Sequence, residues 1–423
     1  MIRERNIQSW TYAAGGQQTL DLPRDAVFHI LQIEGQGYVT NVQGASGTGT
    51  VFDDCFPFSI LKNIRLMRNG SDVVFQGSGC LLAKEHYYLN ERWPHARLYR
   101  LSAANVESLL LSSAALALGG KGVTVPANSE GIGITQVQFA TTTSASSTTI
   151  VNFDFQMDLY LQMGPEDCYF GSLVDARRLA TFQLELTYAA VADVAIAGAD
   201  GSTNAIVASG RILSYDQDNL AVDSKYGTFK RSQLSFQNIP YGSSNFQIML
   251  PRGNYFHGII LDTLAQKAGS TTVLCHENAV LVSAINRINS NFQLRQFNWE
   301  DLQRKNQADG CMNSAYAGSR GSPNGSAYLY YPVTGDKGFE LVPTHVMDQF
   351  DLQVTVAANA SIAANAANAG INGPENGVTT TGTNPTINML LEEVIPGVSL
   401  GEQYPTAAMA GSKRGTSAKP YAR

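Results

Sequence analysis

The sequence predicts an all-β chain of two β-sandwiches in tandem, from strand-type alternation, an internal repeat and a hairpin signature. Val151, Phe153, Phe155, Met157, Leu159 and Leu161 alternate with Asn152, Asp154, Gln156, Asp158 and Tyr160. That period of two gives a strand one apolar face. Phe182, Leu184 and Leu186, and later Phe350, Leu352, Val354 and Val356, repeat the pattern. The turn pair Asn69-Gly70 stands between Ile64–Arg68 and Ser71–Phe75, the strongest short hairpin signal.

The repeat is the most informative feature. Leu22-Pro23-Arg24-Asp25-Ala26-Val27-Phe28-His29 returns 228 residues later as Leu250-Pro251-Arg252-Gly253-Asn254-Tyr255-Phe256-His257, with Leu, Pro, Arg, Phe and His conserved between the copies. Phe182–Ala190 returns as Phe350–Ala358, and Thr203-Asn204 ahead of Ala205-Ile206-Val207 is echoed by Thr383-Asn384 ahead of Pro385-Thr386-Ile387. Three echoes in one order point to duplication, which fixes architecture before any single motif does. The spacing between the first two echoes is longer in the first copy, so about 60 extra residues there are assigned to surface loops.

Helices are predicted to be few. Ser78 would cap a helix through Leu81, Leu82, Glu85, Tyr88 and Leu89, and Asn298 would cap Trp299 to Gln307, stopped near Gly310. Ser102 to Leu118, closed by Gly119-Gly120, reads as one more. Thr141 to Thr149, Ala357 to Gly370 and Ile371 to Thr383 are small and polar and read as long loops. At 423 residues the chain suits two units of about 200 residues each. The polar stretch Ser214–Lys225 marks the boundary, giving a first sandwich over 1–220 with an insertion near 78–145, a second over 221–400 and a basic tail over 401–423.

Composition narrows the function classes. Charged residues are only 15% of the chain, which suits a protein that hides much of its surface against neighbours. The balance of 29 basic and 35 acidic residues excludes a chain-wide polyanion binder, so any nucleic-acid contact is local. Cys55, Cys80, Cys168, Cys275 and Cys311 are odd in number, scattered and without a CxxC pair. Zinc and a disulfide framework are therefore not expected. Buried free thiols and assembly in a reducing host cytoplasm are. The residues after Met1 lack the apolar run of a signal peptide, and Leu109–Leu118 is too short and too broken to span a bilayer.

Leu22-Pro23-Arg24, the strand through Phe28, Ile30 and Ile33, the stretch Phe56–Gly70, Val73-Val74-Phe75, and the later run Leu173–Leu186 together resemble the first jelly roll of the double jelly-roll major capsid proteins of tailless icosahedral bacteriophages (the tectivirus/corticovirus-like lineage). The second Leu250-Pro251-Arg252 is similar to the start of their second roll. The resemblance covers most of residues 20–400, as scattered signatures. It implies two tandem eight-stranded jelly-roll sandwiches and a pseudo-hexagonal homotrimer that tiles a virion shell beside penton and minor capsid proteins. It also implies inward-facing termini that reach the genome or an internal membrane, and no enzymatic activity or cofactor. The alternative reading is a carbohydrate-binding or carbohydrate-active β-sandwich, a spike or lectin, because fold alone does not settle function.

Candidate chemistry is thin. The six histidines form no HxH or HExxH pattern, and His29 and His257, at equivalent places in the two copies, read as structural. Cys275-His276 are strand neighbours and so point to opposite sides. Asp53-Asp54 and Glu392-Glu393 read as solvated charges rather than a facing catalytic pair. Asp216-Gln217-Asp218-Asn219 lacks the rest of a calcium loop, and Gly35-Gln36-Gly37 lacks the third glycine of a nucleotide cradle. Trp10, Trp93, Trp299, Tyr87, Tyr88, Tyr330 and Tyr331 could stack sugars but are assigned to packing. No catalytic, cofactor or metal residue is therefore nominated. The binding candidates are the locally basic termini: Arg3 and Arg5 at one end, Lys413, Arg414, Lys419 and Arg423 at the other.

Overall fold

The structure is a computed structural model that describes residues 2–42, 51–52, 55–90, 94–101, 107–109, 148–161, 173–196, 204–218, 228–266, 274–276, 280–289, 292–308, 326–330, 342–358 and 384–395. The first half holds β1 (Arg3–Thr11), β2 (Gln17–Asp21), β3 (Val27–Val42), β4 (Val51–Phe52), β5 (Leu61–Arg68), β6 (Asp72–Gly77), α1 (Gly79–Asn90), β7 (Ala96–Leu101), β8 (Glu107–Leu109) and β9 (Thr148–Tyr160). It continues with β10 (Val174–Asp175), β11 (Phe182–Tyr188), α2 (Val191–Val194), β12 (Ala195–Ile196) and β13 (Asn204–Gln217). The second half holds β14 (Thr228–Phe236), β15 (Phe246–Met249), β16 (Tyr255–Gln266), β17 (Leu274–His276), β18 (Leu281–Asn289) and β19 (Phe292–Asn298). It ends with α3 (Trp299–Ala308), β20 (Ser326–Tyr330), β21 (Val342–Pro343), β22 (Asp351–Val356) and β23 (Thr386–Ile395).

The two halves share one pairing diagram. In the first, β1-β13-β3-β9 form one sheet and β2-β11-β5-β6 the facing one, with β10 as a short extra partner of β3. In the second, β14-β23-β16-β20 and β15-β22-β18-β19 do the same, and β21 pairs β16 as β10 pairs β3. Each half is thus an eight-stranded jelly roll. Alternating side chains fill each interior, with Leu31, Ile33, Phe153, Phe155, Leu184 and Leu186 in one core and Ile259, Leu261, Leu329, Leu352 and Val354 in the other.

The conserved residues of the repeat explain themselves. Arg24 donates to the carbonyls of Leu179 and Ala180, just past the short 3-10 turn Ala176–Arg178, and Arg252 donates to those of Met347 and Asp348, past the turn Thr344–Val346. Leu22 N donates to Phe182 O at 2.9 Å, and Leu250 N to Phe350 O at 3.0 Å. Phe28 meets Phe182 edge-on at 5.2 Å, and Phe256 meets Phe350 at 5.0 Å. His29 and His257 each fall where the strand register jumps, between Phe28 and Ile30 and between Phe256 and Gly258, so both sit at a bulge. The third echo is not in register. Leu213 lies opposite Gln32 and Leu390 opposite Ile260, an equivalence three residues away from the match between Thr203 and Thr383.

Local expectations mostly hold. Asn69 and Gly70 take positive φ (49° and 79°), the two-residue turn between β5 and β6. Ser78 Oγ accepts from Leu81 N at 3.2 Å and so caps α1. Gly35 and Gly210 are a cross-strand pair, where a Cβ would run into Phe155 and Trp10 at Gly35, and into Glu34 O and Trp10 at Gly210. They form a floor for Trp10, whose Nε1 donates to Glu34 O at 3.0 Å.

Two expectations are corrected. Cys55 and Cys80 are joined in a disulfide, Cα atoms 5.6 Å apart, rather than being free thiols. The β5–β6 hairpin returns the chain to its own start, and Gly79 packs against Phe58 O where a Cβ would sit at 2.3 Å, so residues 25 apart in sequence become neighbours. The inference of a reducing compartment from unpaired cysteines loses this pair. Within the stretch read as a helix from Ser102, residues Glu107–Leu109 form strand β8, paired with β7.

Replacing either clasp, Arg24→Ala or Arg252→Ala, hands two carbonyls back to water and is expected to cost roughly 0.5–1.5 kcal/mol in urea denaturation. A variant as stable as the wild type would remove the clasp from the account of the repeat. Non-reducing peptide mapping after thiol blocking is expected to recover a linked Cys55–Cys80 peptide; recovery of both as alkylated thiols would contradict the disulfide.

Candidate functional site at the junction of the two sandwiches

Strand β14, the first of the second jelly roll, pairs in parallel with β6 of the first through Arg231–Phe75 and Ser232–Gln76. One sheet therefore runs across both rolls. Ile260, Tyr328 and Leu390, on the outer face of β16, β20 and β23, belong to the apolar cluster of the first roll rather than their own. Helix α1 lies over this face, and Ser78 N donates to Gln233 Oε1 at 2.8 Å where it begins.

This face is charged as well as buried. Lys84 on α1 meets Asp262 on β16 at 2.5 Å, with both side chains no more than 2% exposed. Glu85 accepts from Arg231 at 2.8 Å, and the second arm of Arg231 donates to the Tyr160 carbonyl. The Arg231 guanidinium sits 4.9 Å from the Phe75 ring and 4.8 Å from that of Phe229, a desolvated cation between two aromatic faces. Glu392 accepts from Tyr328 at 2.6 Å and is paired with His257 at 2.7 Å. Tyr88 reaches Ser326 at 3.2 Å. Burial pushes the Glu85 carboxyl up to about 6, Arg231 opposes the rise, and the nearby Glu392 adds to it. Burial likewise raises Glu393 against the pull of Lys230.

The expected site residues fall as follows. Arg3 and Arg5 are not free basic ends: Arg3 meets Asp216 at 2.6 Å and Asp218 at 2.5 Å, and Arg5 meets Asp25 at 2.8 Å and Asp216 at 2.7 Å. Asp216 is thereby spoken for, and does not stand open as a calcium ligand. Lys413, Arg414, Lys419 and Arg423 lie outside the described residues, as do Asp53, Asp54, Trp93 and Tyr331. Glu392 and Glu393, read as solvated, are 1% and 3% exposed because β23 is a central strand covered on both faces. Trp10 and Trp299 are buried in the two cores and offer no platform for a sugar. Among the described residues no group of three or more His, Cys, Asp or Glu side chains is placed to hold a metal ion, and no helix is long and apolar enough to cross a membrane.

The sequence reading missed the junction. Its one accessible signal was three consecutive polar or charged residues, Lys84-Glu85-His86, in a helix that is otherwise mostly apolar, a pattern also produced by a solvated face.

No family model matches the chain, and no curated protein matches it. Solved structures do. The chain is similar to the STIV MCP crystal structure at 15% identity and a TM-score of 0.56, over 94% of this chain and 98% of that one. It is also similar to a chain in the atomic structure of Sulfolobus Turreted Icosahedral Virus at 14% identity and a TM-score of 0.57, over 97% and 95%. The likeness is one of fold, and it extends over both jelly rolls.

Lys84→Met alone leaves Asp262 charged and buried and is expected to cost about 3–5 kcal/mol; Lys84→Met with Asp262→Leu should recover most of that loss. Equal losses in the single and double variants would show that the pair is not coupled. Glu85 takes up a proton more readily folded than unfolded. Its contribution is therefore full below about pH 4.5 and lost as pH rises through about 6. Across that window wild-type stability should fall relative to Glu85→Gln, read as the difference between their calorimetric Tm profiles. Parallel profiles would exclude Glu85 as the titrating group.

Proposed function

We propose that this chain is the major coat protein of an icosahedral virus and that it builds the virion shell from pseudo-hexagonal homotrimers. The observation that carries the reading is the repeated pairing diagram: one polypeptide supplies two matching eight-stranded blocks fixed side by side by a buried junction. Three such chains present six similar blocks to a lattice while obeying ordinary threefold symmetry. The fold likeness to the major capsid protein of Sulfolobus Turreted Icosahedral Virus supports the same reading. On it the chain's partners are further copies of itself, then penton and minor capsid proteins. Its role is structural, without catalysis or cofactor.

The division into 1–220, 221–400 and a tail over 401–423 belongs to this proposal. Arg3 and Arg5 are occupied by aspartates of the fold, so contact with genome or an internal membrane is assigned to Lys413, Arg414, Lys419 and Arg423.

Light scattering on the eluted protein is expected to give three times the 45.5 kDa chain mass, and electron microscopy of particles should show hexagonal capsomers. A monomer at all accessible concentrations would sink the shell reading. Deleting residues 411–423 should spare the trimer but lower particle yield or packaged nucleic acid. Full yield and full content from the truncated chain would refute the tail role.

A further inference from the structure

The shared pairing diagram lets every junction residue be matched to its counterpart in the other roll. Glu34 and Asp262 lie at the same register in β3 and β16, facing Arg211 and Asn388 of the corresponding β13 and β23. Glu4 of β1 faces Tyr215, which faces Ile30; Arg231 of β14 faces Glu392, which faces Gly258. Glu4 is thus the counterpart of Arg231. In the facing sheets, Ile64 pairs with Leu186 and Gly77, while Ala284 pairs with Val354 and Phe297. Counting on from Gly77 and Phe297 sets Leu82 level with Leu302, both buried, Lys84 with Arg304, and Glu85 with Lys305.

Exposure differs in one direction. Lys84 and Glu85 are each 1% exposed because α1 is covered by the second roll. Arg304 on α3 has a side chain 69% exposed and pairs with Asp301 and Glu300 of its own helix, and Lys305 is partly exposed. On the opposite side, Arg231 is fully buried whereas Glu4 is exposed, and the Glu34 side chain is 24% exposed beside Arg211. Each roll thus carries a helix side and a sheet side. Inside the chain one of each is consumed, leaving α3 with β19, and the outer face of β1, β13, β3 and β9.

Each of these two remaining surfaces carries both signs of charge, held in local pairs that a contact could exchange. The helix side presents Arg304 and Lys305 beside Glu300 and Asp301, and the sheet side Glu4 and Glu34 beside Arg211. Lys84–Asp262 becomes Arg304 opposite Glu34, with its polarity kept. Arg231–Glu85 becomes Glu4 opposite Lys305, with its polarity reversed on both partners at once.

We propose that a second copy of this chain seats α3 and β19 on the outer face of β1-β13-β3-β9, repeating between chains the junction that α1 and β6 make within one, with Arg304 against Glu34 and Lys305 against Glu4. The contact is head to tail, so it closes only if its rotation fits a ring. This docking mode rests on the homotrimer reading and names the surfaces that would build it.

Glu34→Cys and Arg304→Cys, co-expressed as single variants and oxidised with copper-phenanthroline, should give a disulfide-linked two-chain band on non-reducing denaturing gels. Wild type and each variant alone should not. The double variant should add a three-chain band. Arg304→Glu should raise the concentration at which the assembly dissociates at least tenfold, and Arg304→Glu with Glu34→Lys should recover part of it. Wild-type trimers that neither cross-link nor respond to Arg304→Glu would overturn this docking mode and leave the homotrimer standing. A wild-type chain monomeric throughout would remove both.

Discussion

The architecture depends on how the outer face of the second jelly roll is covered. A jelly roll hides its inner faces by itself, but Ile260, Tyr328 and Leu390 look outward and pack into the apolar cluster of the other roll. Burying them places Lys84, Glu85, Arg231, Asp262 and Glu392 in the same dry layer. Charges in such a layer are tolerated only when paired and hydrogen-bonded, so partner geometry fixes how the two rolls sit. An apolar seam of equal area could slide; this one has a register set by Lys84–Asp262 and Arg231–Glu85.

Within each roll a second constraint acts. The Leu-Pro-Arg run ties the start of β3 or β16 to the turn ahead of β11 or β22, so the two sheets are stitched at the same corner in both copies. Arginine suits this because one guanidinium nitrogen, Nη1, carries two hydrogens and donates to two successive carbonyls. The same corner carries the Phe28–Phe182 and Phe256–Phe350 contacts, one aromatic pair per core.

The surfaces the junction leaves open follow from duplication. The shared pairing diagram gives one joint inside the chain, where the charges are buried, and counterpart surfaces on α3 and on β1-β13-β3-β9, where the charges are accessible. An accessible surface that carries charge is less prone to unspecific association than an exposed apolar one of the same size.

Much of this was legible in the sequence. Alternation at Val151–Leu161 and Phe182–Leu186, the Asn69-Gly70 turn, the Ser78 cap and the repeat at Leu22 and Leu250 are local or self-referential signals, and each stands where it was expected. The Cys55–Cys80 bond, the burial of Glu392 and Glu393, and the capture of Arg3 and Arg5 by Asp25, Asp216 and Asp218 were not legible. These depend on which strands become central and which hairpin folds back, and a charged residue carries the same letter whether water or a partner stabilises it. The sequence by itself determined strands, turns and the doubling of the unit. Tertiary structure alone decided the junction, because pairing Lys84 with Asp262 or Glu85 with Arg231 requires residues more than a hundred positions apart to lose their water together.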